Sequence, residues 1–372
     1  MIEVDWFLPT GGDSRDILPE GEAAHRRRPD HDYLAEVARA CDRLGFHAVL
    51  TPCGTGCEDA WVATASLLPL TRRLKFLVAF RPTLLTPTLA AQMASTYQRM
   101  SGGRLLVNIV TGAEPVELAR FGVHEDKSTR YDRTGEFIGI MRGAWTDSPV
   151  DHSGTFYDVR GATTREQPDP IPAIYFGGAS PEALRVAAEH ADVYLTWGEP
   201  PTAAAGRIAE VRQLATLAGR SLRYGIRFHV IARPTADDAW AAAATLLSGV
   251  SDEARRAAAA DFATTRSEGQ RRLAASAAAA AESDVRMEIH PNVWAGIGLV
   301  RGGVGTALVG SFDEVADRIE EYHEVGFDAF ILSGYPHLEE AYWFGEGVMP
   351  ILRRRGLVPD DGPADAPVFS FR

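Results

Sequence analysis

Short apolar runs alternate with amphipathic stretches along the chain. The runs fall at 2–8, 46–50, 74–80, 105–110, 173–176, 193–196, 223–232 and 329–332, and each predicts a buried strand. Between the first two runs, Leu34, Val37, Ala38, Cys41 and Leu44 recur at helical spacing until Gly45 ends the pattern. Residues 87–100, 181–190, 203–218 and 311–325 read as further helices. Eight strands separated by crossover helices predict an α/β fold, a (β/α)8 barrel with insertions, as one domain over residues 1–372. A doubly wound open sheet shares the same local pattern, so periodicity alone leaves closure open.

Two stretches exceed a minimal barrel. Residues 147–169 contain HSGTFYDVRGA and suit a hairpin-like excursion before the fifth strand. Residues 236–300 are rich in Ala, Arg and Glu, and predict a helical insertion. Composition leaves two readings of it, a solvated surface element or a lid over the barrel mouth.

Composition narrows the partners. Lys and Arg number 38 against 50 Asp and Glu, a formal charge of -12, which argues against a nucleic-acid or anionic-lipid surface. An anionic ligand must then be held by local cations. No window offers the roughly 18 uninterrupted apolar residues of a membrane span, and MIEVDWFLPTGG lacks a basic segment followed by an apolar one. The expected location is cytoplasmic. Three cysteines, with no recognisable zinc spacing, predict free thiols and no metal site.

In such barrels the chemistry lies at the C-terminal ends of the strands. After strand five, FGGAS and Pro181 place Gly177, Gly178 and Ser180 at a helix N-terminus. This is an anion site or an ordinary cap. Arg227 and His229 are two apart on strand seven and share its inward face, either as a buried ion pair or as a functional pair. Trp197 is pocket wall or core, and Cys57 a functional thiol or a small buried side chain. Arg301 lies in glycine-rich LVRGGVG, while Tyr335 and His337 follow strand eight. No G-x-G-x-x-G fingerprint follows the first strands.

The segments WFLPT, CEDAW, LKFLVAFRPTLLTPT, NIVTG, YFGGAS, YLTWGEPP, GIRFHVIAR, NVWAGIGLVRGGVGTALVG and LSGYPHLEEAY occur here in an order that resembles the alkanesulfonate monooxygenases, of the bacterial-luciferase-like flavin monooxygenase group. The similarity runs over roughly residues 4–350. It implies a TIM barrel that uses FMN, as FMNH2 supplied by a separate NAD(P)H-dependent FMN reductase, together with O2. The products would be an aldehyde and sulfite from a sulfonate. The resemblance also implies that Gly177, Gly178 and Ser180 hold the FMN phosphate, with Asn108, Arg130, Tyr131 and Trp197 near the flavin. It makes Arg227, His229, Arg301, Tyr335 and Cys57 the catalytic set, with Arg301 on a mobile loop, and by analogy implies a homotetramer. Gly11 stands where the family commonly has histidine. That departure is expected to enlarge or repolarise the pocket mouth and so admits another organosulfur or nitrogen substrate. Deazaflavin-dependent hydride transfer and a non-catalytic flavin binder remain as further readings.

Overall fold

A computed structural model describes residues 1–18, 26–112, 114–265, 267–283 and 286–360. The remaining residues, which the single-domain expectation includes, lie outside the description. Eight parallel strands close on themselves: β1 (Glu3–Phe7), β2 (Ala48–Thr51), β3 (Lys75–Phe80), β4 (Leu105–Ile109), β5 (Ile174–Gly177), β6 (Val193–Trp197), β7 (Arg223–Arg233) and β8 (Ala329–Ser333). Closure comes from pairing of β8 with both β1 and β7, and of β6 with β7. The open-sheet alternative is thereby excluded, and the structure is a (β/α)8 barrel.

Around the strands run α1 (His31–Leu44), α2 (Ala60–Leu67), α3 (Pro87–Ser101), α4 (Lys127–Thr146), α5 (Pro181–His190) and α6 (Pro201–Leu217). Their ends follow local chemistry. The Asp30 side chain accepts from Tyr33 N at the start of α1, and Gly45 closes that helix in the left-handed conformation at φ 86°. The side chains of Asp126 and Ser180 cap α4 and α5 in the same way.

Two apolar layers result. Trp6, Phe76, Trp145 and Phe176 face the helices, whereas Phe7, Leu50, Leu77, Leu106, Tyr175, Val193 and Ile331 fill the barrel interior. At the N-terminal end of the barrel the plug is polar. Arg223 pairs with Glu3 at 2.9 Å, and the Tyr175 hydroxyl donates to Glu3 at 3.1 Å.

The 147–169 excursion is an antiparallel hairpin of Val150–Ser153 and Asp158–Ala162. The long insertion forms α7 (Ala236–Ser248), α8 (Asp252–Thr264) and α9 (Glu268–Ser283), then the short strands Glu288–His290 and Val293–Trp294. One strand was not legible in the periodicity. Ala307–Ser311 pairs in parallel with the outer half of β7, from His229 to Arg233, so β7 projects beyond the barrel rim. No helix among the described residues is long and apolar enough to cross a membrane.

Candidate functional site

At the C-terminal ends of the strands lies a cavity of about 330 Å³. Every residue expected near the flavin lines it: Asn108, Arg130, Tyr131, Gly177, Gly178, Ser180 and Trp197. Arg227 lines it as well. The barrel contributes Leu50, Leu195 and Ile331 to the floor, and α9 with the residue before it contributes Ser267, Gly269, Arg272 and Leu273 to the roof.

One wall is built to admit an anion. Ser180 caps α5 by accepting from Ala183 N, so the first turn of a ten-residue helix opens on the cavity. Gly178 has φ 151°, and a Cβ there would stand 2.5 Å from the Ala183 Cβ and 3.4 Å from the Tyr131 hydroxyl. Only glycine fits, and its absent side chain leaves the helix N-terminus uncovered. Lys127 lines the same wall. Its ammonium pairs with Glu182 at 3.3 Å and sits 6.0 Å from the centroid of the Tyr131 ring. Arg130 has a bracing part here, since its guanidinium donates to the carbonyls of Glu125 at 2.5 Å and Gly112 at 3.3 Å.

The opposite wall is cationic. Arg227 points into the barrel, with its guanidinium 4.6 Å from the centroid of the Phe7 ring. The ion-pair reading does not hold for it: no carboxylate among the described residues pairs with Arg227, and its Nε is buried without a hydrogen-bond partner. Burial, helped by the nearby Arg301, pushes its pKa down to about 10. Arg301 is lowered by the same cause, and its guanidinium lies 5.1 Å from the centroid of the Tyr335 ring. Arg301 thus adds to the cost of charge on Arg227, while the Asp13 carboxylate partly offsets the burial of Arg301.

His229, Tyr335 and His337 form an aromatic stack beside these cations. His229 lies on Tyr335 with centroids 5.1 Å apart, and Tyr335 meets His337 edge-on at 5.8 Å. His229 Nδ1 and the Ser333 hydroxyl are 2.9 Å apart. Burial, and then Arg301 and Arg227, hold His229 well below its ordinary pKa, so it is neutral at pH 7. The Tyr335 hydroxyl is buried with no partner among the described residues.

The expected catalytic residues therefore divide. Arg227 lines the cavity, whereas His229, Arg301, Tyr335 and Cys57 do not. His229, Arg301 and Tyr335 are linked to it through His337, Phe7 and Arg227. Burial raises the Cys57 thiol above its ordinary pKa, so Cys57 is a thiol and not a thiolate at neutral pH. Cys41, Cys53 and Cys57 are all free.

The expectation about Gly11 needs correction. A Cβ at Gly11 would lie 2.9 Å from the Gly56 carbonyl oxygen and 3.7 Å from the Cys57 sulfur. The missing side chain does not simply widen the mouth, because the 54–57 loop occupies the space beside Gly11.

Sequence reading also missed the groups that hold the roof down. Arg272 of α9 pairs with Glu199 at 2.9 Å, the Thr265 hydroxyl donates to Glu114 at 2.9 Å, and Gly303 N donates to the Gln270 side-chain oxygen at 2.7 Å. Trp197 packs where a Cβ on Gly269 would lie 3.1 Å from its ring. Glu199 stands in the quoted TWGEPP, but nothing in its local sequence points to a partner 73 residues away.

A closed barrel with an anion-admitting helix N-terminus and a buried guanidinium lining one cavity at its strand ends has the architecture of a barrel enzyme. The chain belongs to the luciferase-like monooxygenase family, whose model matches residues 2–329. Among solved structures it is similar in fold to EDTA monooxygenase from Chelativorans sp. BNC1, with a TM-score of 0.78 and 21% identity over 96% of this chain and 95% of that one. Riboflavin lyase, solved with modified FMN and riboflavin, gives a TM-score of 0.77 and 19% identity over 98% and 94%. An F420-dependent secondary alcohol dehydrogenase, solved with an F420-acetone adduct, gives 0.66 and 18% over 94% and 99%.

Proposed function

We propose that this protein is a two-component, FMNH2-dependent monooxygenase that cleaves the C–S bond of alkanesulfonates. The observation that carries this reading is the buried guanidinium of Arg227, which has no carboxylate partner among the described residues and lies near Arg301, in a cavity that also takes in an uncovered helix N-terminus. Two anion-binding features in one cavity, the helix N-terminus and Arg227, suit a phosphorylated cofactor and an anionic substrate. FMN fits the first: Gly177, Gly178 and Ser180 would take its phosphate, and Asn108, Tyr131 and Trp197 would line its ring.

Bound FMNH2, delivered by a separate NAD(P)H-dependent reductase, supplies two electrons for the reduction of O2. One oxygen atom ends on the sulfur-bearing carbon and the other leaves as water, so that RCH2SO3⁻, O2 and FMNH2 give RCHO, HSO3⁻, FMN and H2O. Arg227 and Arg301 bind the sulfonate oxygens, because guanidinium forks match them and stay charged at neutral pH even at the lowered pKa of Arg227. Neutral His229 and the unpartnered Tyr335 hydroxyl provide a hydrogen-bonding wall that adds no further charge. The roof of α9, fastened by Arg272 to Glu199, excludes water from the reacting centre.

Sulfite assay after mixing the protein with enzymatically reduced FMN, O2 and a panel of alkanesulfonates tests the reading; no sulfite from any chain length refutes it. Another organosulfur or nitrogen substrate is the second reading, favoured by Gly11 and the loop against it. Deazaflavin-dependent hydride transfer, the cofactor chemistry named for the alcohol dehydrogenase neighbour, is separated by oxygen: turnover without O2 supports it.

A further inference from the structure

Asp13 lies in the two-residue strand Asp13–Ser14 after β1, paired with Arg26–Arg27, outside every role assigned above. It is fully enclosed, and each of its oxygens binds His337. Oδ1 is 2.7 Å from His337 Nδ1, and Oδ2 accepts from the His337 main-chain N–H at 2.8 Å. The Tyr33 hydroxyl and Ser14 N also donate to this carboxylate. Burial alone would raise the pKa of Asp13, but the hydrogen bonds and charge of His337, with those of Tyr33 and Ser14, outweigh it and hold the group ionised.

His337 is itself almost wholly buried. Its ring lies 5.3 Å from Phe7, the ring that carries Arg227 on its face, and 5.8 Å from Tyr335, which carries Arg301. The Asp13 carboxylate fixes a proton on Nδ1, which makes Nε2 the nitrogen that can exchange one. Among the described residues the side-chain hydrogen bond of His337 is made through Nδ1, to Asp13. A buried imidazole that a carboxylate orients is the arrangement of a general base.

The geometry points to His337 as the base that completes C–S cleavage, with Asp13 as its positioning residue. This rests on the sulfonate reading above. Oxygen insertion at the sulfur-bearing carbon leaves a 1-hydroxyalkanesulfonate, RCH(OH)SO3⁻. His337 Nε2 removes the hydroxyl proton, and the O–H electron pair becomes the second C–O bond. The C–S bond breaks with its pair on sulfur, and sulfite departs. The imidazolium then passes its proton to water or sulfite, so the step neither gains nor loses electrons. Arg227 and Arg301 hold the departing anion, and the ionised Asp13 stabilises the transient imidazolium.

The step needs neither flavin nor oxygen, which makes it separable from the whole reaction. Hydroxymethanesulfonate and longer aldehyde–bisulfite adducts are given to the flavin-free protein without O2, and sulfite release is followed against the uncatalysed rate. The wild-type protein is expected to accelerate release. His337→Gln should lose that acceleration by roughly 10²-fold with little change in KM, as removal of a general base does. Asp13→Asn should lower the rate while also abolishing the hydrogen-bonded Nδ1–H resonance of His337 in ¹H–¹⁵N spectra. Thermal melting confirms that each variant is folded. A wild-type protein that leaves the adducts at the uncatalysed rate, or a folded His337→Gln variant as fast as wild type, overturns the proposal. Adduct breakdown without sulfite from any alkanesulfonate in the complete FMNH2 and O2 assay would instead count against the oxygenation reading alone.

Discussion

Replacing Arg227 with Met tests whether the cationic wall is held unsatisfied for an anion. At 1.36 kcal/mol per tenfold change in a protonation equilibrium, the fall from the ordinary arginine value to about 10 means that charged Arg227 costs the folded protein about 3 kcal/mol at pH 7. The sign follows from the direction. The unfolded chain holds this proton more tightly, so the cost is present at every pH below about 10 and fades only as pH rises towards the ordinary arginine value. Methionine removes the cost but also the contact with the Phe7 ring, worth about 1 kcal/mol. The net expectation is a variant more stable by about 2 kcal/mol. With about 2.1 cal/mol/K of unfolding entropy per residue, this raises Tm by roughly 3 °C. Scanning calorimetry with and without an alkanesulfonate reads it. The wild-type Tm should rise with ligand, by about 2.7 kcal/mol of stabilisation at a hundredfold excess over Kd, and that of Arg227→Met should not. The same variant should lose about 10²- to 10³-fold in kcat/KM for sulfite release. A less stable variant with unchanged turnover would sink the assignment of Arg227 as an anion receptor.

Other expectations follow from different parts of the molecule. His190, at the end of α5, has its pKa pushed down to about 4 by burial and by Arg220, Arg142 and Arg185. The unfolded chain therefore takes up the proton first, and stability should fall by about 3 kcal/mol between pH 6.5 and pH 4; a His190→Gln variant should lack that share of acid sensitivity in pH-dependent melting. Gly178→Ala places a methyl 2.5 Å from Ala183 Cβ at an unfavourable φ, so FMN titration by fluorescence should show binding weakened at least tenfold, and unchanged affinity would remove the phosphate role from this wall. Arg272→Ala unfastens α9 from Glu199, and limited proteolysis should cut within residues 252–283 faster than in wild type.

The legible part of this protein was its local grammar. All eight barrel strands were marked by apolar runs because a strand buried on both faces needs little polar residue, and helices α1, α3 and α5 were marked by their stripes and caps. The flavin-side candidates were legible for a related reason: a glycine pair and Ser180 directly before Pro181 form a continuous segment, so neighbours in sequence are neighbours in the site. The strand Ala307–Ser311 was not, since five residues after the glycine-rich stretch 302–305 carry no clear period, and its partner is the outer half of β7.

From the residues alone came the β/α alternation, the insertion's helical character and the residue types available at the rim, because these depend on spacing along one chain. Closure of the sheet, the meeting of Arg227 with Arg301, the clasp of Arg272 on Glu199 and the grip of Asp13 on His337 belong to the tertiary structure. Each joins residues separated by tens to hundreds of positions. Such pairings are set by how packed layers bring strand ends together, and burial then decides which of the charges find partners and which are left to a ligand.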